Sequence, residues 1–73
     1  MIEWIPVTDS SRVIAAAYSP QLEQIYVRFP DGTEWCYEEC PGHIWETFMA
    51  PNTSKGAYIH SELDHHVNHR LGI

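Results

Sequence analysis

The stretch LEQIYVRFPDGTEWCYE, residues 22–38, restricts the fold more than any other part of the chain. Ile25, Val27 and Phe29 alternate with Gln24, Tyr26 and Arg28, the side-chain period of a strand with one buried face. Pro30-Asp31-Gly32 follows as a turn, because proline presets φ and glycine accepts positive φ. Alternation then resumes, with Thr33, Trp35 and Tyr37 on one side and Glu34, Cys36 and Glu38 on the other. The two runs therefore form an antiparallel hairpin. Trp35 and Tyr37 fall beside Ile25, Val27 and Phe29 and are expected in the core, since aromatic and β-branched cross-strand pairs stabilise sheets. Glu34 and Glu38 are expected on the wetter face, with Cys36 between them.

The rest of the chain attaches to this hairpin. IEWIPV, residues 2–7, alternates weakly, and Pro6 cannot donate to a ladder, so this segment suits a sheet edge. TDSS is a turn or bulge. RVIAAAY, residues 12–18, reads as a strand from its neighbourhood, although its three alanines suit a helix equally. After Cys40-Pro41-Gly42 the period lengthens. Ile44, Trp45, Phe48 and Met49 recur at helical spacing, predicting a helix over 42–50 with Pro41 at its start and Pro51 beyond its end. Asn52, Thr53 or Ser54 can cap a following helix. From Ala57 onward, the i, i+4, i+8 series Leu63, Val67, Leu71 predicts helix over 57–71 in one or two segments. The expected architecture is α+β: a single small domain over 1–73. An antiparallel sheet of about four strands (2–7, 12–18, 22–29, 33–38) precedes two short helices (42–50 and 57–71). Internal repeats and linkers are absent from the sequence.

Size and charge limit the function. A chain of about 60 residues buries only roughly 60% of its unfolded surface, so a deep catalytic cleft is hard to build in 73 residues. The formal net charge is −6, and residues 31–46 hold Asp31, Glu34, Glu38, Glu39 and Glu46 with no lysine or arginine. Nucleic-acid backbones are bound through Lys and Arg, and four such residues stand against ten acids here, so direct DNA or RNA binding is disfavoured. An acidic face attracts a basic protein surface instead. No run approaches the roughly 18 apolar residues of a membrane span. MIEWIPVTDS lacks the basic and apolar regions of a signal peptide. Two cysteines are too few for a disulfide scaffold. A monomeric cytoplasmic protein with reduced thiols and no membrane contact is expected.

Four kinds of chemistry have candidate residues in the chain. Cys36, Cys40 and His43 offer C-x3-C-x2-H, and Asp64, His65, His66 and His69 form a second cluster, but zinc needs about four converging ligands and no further pair completes either set. His65 and His69 stand at i, i+4, although His66 occupies the place of the glutamate found in zinc-protease helices. No metal or other cofactor is expected. A nucleophilic thiol needs a base or cation to lower its pKa, and the acids around Cys36 and Cys40 do the reverse. No carboxylate sits in an apolar run that desolvates it. No catalytic residue is assigned. Arg12, Arg28 and Lys55 with Tyr26 form the one candidate nucleic-acid patch.

The order of several short motifs resembles the KTSC domain: Ser10-Ser11, Val13 to Tyr18, VRFPDGTEWCY, PGHIWETFMA and SKGAYI, together spanning about residues 8–63. The aromatic-x-aromatic element is Trp35-Cys36-Tyr37, and the Ser-x-Gly-x-aromatic element is Ser54-Lys55-Gly56-Ala57-Tyr58. The resemblance implies a small antiparallel sheet with helices and leaves a small RNA-binding module as an alternative function, against which the acidic 31–46 stretch argues. The whole chain is also similar to small phage-encoded regulators of bacterial transcription. That similarity implies binding to the N-terminal part of the β′ subunit of host RNA polymerase, inhibition of initiation by loosening σ, and altered termination. On this view Asp31, Glu34, Glu38 and Glu39 are the partner-binding residues.

Overall fold

Alternation in residues 24–37 folds as its period dictates. In a computed structural model, which describes residues 2–72, β3 (Gln24–Arg28) and β4 (Glu34–Tyr37) form the expected hairpin, with Ile25 opposite Tyr37 and Val27 opposite Trp35. The turn closes through Gly32 N–H to the Phe29 carbonyl (2.9 Å), and Gly32 takes φ +88°. Asp31 ties the turn by accepting from the backbone N–H (3.0 Å) and hydroxyl (2.7 Å) of Thr33.

The sheet has five strands, not about four, in the order β1-β2-β3-β4-β5, each antiparallel to its neighbour. β1 is only Ile5–Pro6, at the edge that Pro6 requires. β2 is Ala15–Ser19, later than the expected 12–18. Its alanines are strand despite their helix preference, because Ala16 pairs with Val27 and Ala17 with Tyr26 in a buried ladder. The helix α1 (Gly42–Met49) matches the periodic stretch, with Phe48 fully buried. Ser54 caps α2 (Lys55–Ser61), accepting from the Ala57 N–H at 3.4 Å.

The expected helix over 57–71 is corrected. α2 ends at Ser61, a 3-10 turn follows (Leu63–His65), and Asn68–Arg70 is β5, paired with β4. Leu63 is buried, Val67 is 61% exposed, and Leu71 packs on the other side of the sheet, so the three never formed one stripe. The outer face is also less wet than the alternation implies. Tyr26 and Cys36 are buried there with Ala17, and Trp4 and Leu71 pack on them. The main core lies on the helix side and joins Val13, Ala16, Ile25, Val27, Tyr37, Phe48, Ile59 and Leu63. Among the described residues no helix is long and apolar enough to cross a membrane.

Candidate functional site

The helices leave part of their face of the sheet uncovered. A groove of about 710 Å³ opens there, floored by Trp35 and Tyr37 of β4. Phe29 and Pro30 flank it at the β3–β4 turn, Ile59 comes from α2, and Asn68 from β5. Ser11, Arg12, Asp31, Thr33 and Asp64 supply polar groups. Phe29 and Trp35 are half-buried, so apolar ring surface reaches solvent. Tyr37 is almost fully buried, and its hydroxyl makes no hydrogen bond among the described residues. Burial first, and then the Asp64 charge, push its pKa up to about 12. Arg12 and Asp64 form no ion pair among the described residues. The Arg12 stem lies over α2, where a Cβ built on Gly56 meets Arg12 Cγ at 2.9 Å; glycine is what lets the two segments approach.

The four acids predicted to bind a partner do not share one face. Asp31 sits in the turn, where hydrogen bonds from Thr33 hold its carboxyl below the usual range. Glu34 is bound to Arg28 (2.7 Å), whose guanidinium stacks 4.4 Å from the Trp4 ring centroid on the outer face. Glu38 follows β4 and lies 3.4 Å from His69 Nδ1. Glu39 adopts φ +56° in the next loop, lining a separate hollow with Glu62, His65, His66 and Val67. Of the four, Asp31 alone reaches the groove. The cations are equally separated. Arg28 is engaged by Glu34. Lys55, unexpectedly, is buried, with Nζ 3.6 Å from Asp9 Oδ1 and 6.0 Å from the Phe48 ring. Tyr26 is buried and donates to Gln24 Oε1. The candidate nucleic-acid patch is therefore not assembled: of Arg12, Arg28 and Lys55, only Arg12 is an exposed cation without an acidic partner.

Cys36 and Cys40 are free and buried. Burial, then Glu38, raises the Cys36 thiol pKa. Burial is also the main cause pushing Cys40 up to about 11. Both shifts favour the protonated thiol, the weakly nucleophilic form. One neighbour escaped the sequence: His66, whose Nδ1 lies 3.5 Å from Cys40 Sγ. Nothing in the local pattern marks this contact, which spans 26 residues and depends on the chain's return to β4. His43 lies on α1, His65 in the 3-10 turn and His69 on β5, so His65 and His69 are not one helical pair. Among the described residues no three His, Cys, Asp or Glu are grouped to hold a metal ion.

The family model of the KTSC domain matches residues 9–66. The chain belongs to the KTSC family. A solved KTSC domain protein of Yersinia pestis superposes with a TM-score of 0.85 at 23% identity, covering 99% of this chain and 100% of that one. The likeness extends the shared fold through the β5 arm, beyond the span of the family model. No curated protein matches this KTSC chain. Ser11, Phe29, Trp35 and Tyr37, all within the motifs that carry the resemblance, line the groove.

Proposed function

We propose that this KTSC domain is a non-enzymatic docking module whose groove receives a segment of a protein partner. The observation that carries this reading is the groove itself: half-buried Phe29 and Trp35 lie beside Arg12 and Asp64, which have no ion-pair partner among the described residues. Aromatic rings that are already rigid, with charges of both signs at the rim, suit an amphipathic polypeptide segment; such anchors dominate affinity at protein interfaces. The buried, protonated thiols supply no nucleophile, in keeping with a role in binding rather than chemistry.

At its finest, the proposed partner is bacterial RNA polymerase, contacted at the N-terminal part of β′, with initiation inhibited by loosened σ and termination altered. This step rests on the resemblance read from the sequence alone and on the net charge of −6. The test is capture of purified polymerase, and of an N-terminal β′ fragment, by the immobilised domain. Wild type retains both, and Asp64→Lys weakens retention about tenfold, ~1.4 kcal/mol. Retention of neither by wild type removes the polymerase assignment. Binding unchanged in Asp64→Lys moves the interface off the groove.

A further inference from the structure

Between the loop after β4 and the start of β5, His66 engages both ring nitrogens at once. Nδ1 lies 2.9 Å from the Glu38 carbonyl oxygen, and Nε2 lies 2.7 Å from Glu62 Oε2. A carbonyl oxygen only accepts, so Nδ1 carries a proton; an ionised carboxylate only accepts, so Nε2 carries one as well. Only the imidazolium form donates to both acceptors at once. Every element packed around it contributes titratable groups: Glu62 at the end of α2, Glu38, Glu39 and Cys40 from the loop after β4, His65 from the 3-10 turn, and His69 from β5. The Glu38 carboxylate faces His69, and the single Cys40 S–H has the Tyr37 and Glu38 carbonyls and His66 Nδ1 within reach, so Glu62 is the acid bonded to the ring.

We infer that His66 is a proton-operated latch fastening the C-terminal arm, residues 66–70, to the end of β4, and that its protonation sets one wall of the groove. The arm reaches the groove through Asn68 and pairs with the groove-lining strand, Asn68 opposite Tyr37 and Arg70 opposite Trp35. Beside the latch, the Glu38 N–H donates to the Val67 carbonyl at 2.8 Å. When the imidazolium loses one proton, a single N–H serves two acceptors. The charged Glu62 oxygen is the stronger acceptor and keeps the remaining proton on Nε2. The bare Nδ1 lone pair then faces the Glu38 carbonyl oxygen and has only the weak Cys40 S–H donor, 3.5 Å away, so the link to Glu38 across 28 residues is lost while the local one persists. Burial alone favours the neutral ring. The hydrogen bonds from Glu62 and Glu38 outweigh it and leave the pKa raised above its ordinary value. The latch is thus closed below this raised pKa and opens as pH rises through it. Its use as control of partner docking rests on the function proposed above; the latch itself does not.

NMR of the full chain from pH 5.5 to 9 tests the inference. In wild type both His66 ring nitrogens are protonated at low pH, the ring titrates with a midpoint above 6.5, and the high-pH form is the Nε2–H tautomer. The Asn68 amide and the Trp35 indole N–H shift with that same midpoint. Glu62→Gln lowers the His66 midpoint, and His66→Gln abolishes the step at Asn68 and Trp35. Should His66→Gln fail to fold, the Glu62→Gln titration carries the test. A His66 midpoint at or below 6.5, a midpoint unmoved by Glu62→Gln, or an Asn68 and Trp35 pair indifferent to His66 overturns the latch. None of these readouts involves a partner, so failed capture of polymerase bears on the proposed function alone.

Discussion

Phe48 and His66 are the residues whose surroundings allow the sharpest expectations. Phe48 is fully buried, with its ring centroid 6.3 Å from that of Trp45 and 5.9 Å from that of Tyr58. Phe48→Ala is expected to remove about 3–5 kcal/mol, a large share of the roughly 5–15 kcal/mol that holds a typical domain folded. Urea denaturation measures it. Trp35 is half-buried at the groove, so Trp35→Ala costs less in the same experiment. For His66 the folded pKa lies above the ordinary 6.5: burial opposes the charge, but the Glu62 and Glu38 hydrogen bonds prevail. The folded state therefore binds this proton more tightly than the unfolded chain. The resulting stabilisation is complete below about pH 6.5 and is lost as pH rises through the raised folded value. Thermal melts from pH 5 to 9 should show wild type losing Tm relative to His66→Gln as pH climbs through that window. A constant difference contradicts the linkage.

Single elements differ in how their ends and pairings are set. α2 begins where Ser54 accepts the Ala57 N–H, and Ser54→Ala is expected to cost about 1 kcal/mol, read from the same denaturation curves. β5 replaces what periodicity predicts as helix. Its flanking bonds are long-range, with the Leu71 N–H donating to the Glu34 carbonyl at 2.7 Å and the Glu38 N–H to the Val67 carbonyl at 2.8 Å. Residues 68–70 should accordingly give extended-strand Cα shifts, and the Leu71 and Glu38 amides should exchange slowly. Helical shifts there restore the helix. β2 makes the complementary point: its alanines have no preference for strand, and their small side chains are fixed by pairing between the Pro6 edge and β3.

Across the whole molecule the acids surround the fold instead of forming one patch. Asp31 lies at one end of β4, Glu38 and Glu39 lie at the other, and Glu34 is paired with Arg28. Under the proposed docking function, long-range attraction comes from the net charge and close contact from the groove. These two contributions separate kinetically. Reversal at Glu34 and Glu38 together (Glu34→Lys, Glu38→Lys) should slow association with the proposed polymerase partner and flatten its salt dependence. Asp64→Lys in the groove should instead speed dissociation. Stopped-flow binding at two ionic strengths distinguishes them, and equal effects of both variants on dissociation contradict the division.

Local chemistry determined the hairpin and α1 and narrowed the α2 cap to Asn52, Thr53 or Ser54, because side-chain period, Pro-Asp-Gly turn geometry and capping side chains act within a few residues. It also placed Trp35 and Tyr37 on one face, two of the rings that floor the groove. Only tertiary structure decided that Asn68–Arg70 is a strand, that Tyr26 and Cys36 are buried on the outer face, and that His66 meets Glu38 and Cys40. Each of these depends on a partner far along the chain: the free edge of β4, the cover of Trp4 and Leu71, a carbonyl 28 residues back. A three-residue strand carries too few side chains to show a period, and its hydrogen bonds exist only where another strand awaits them.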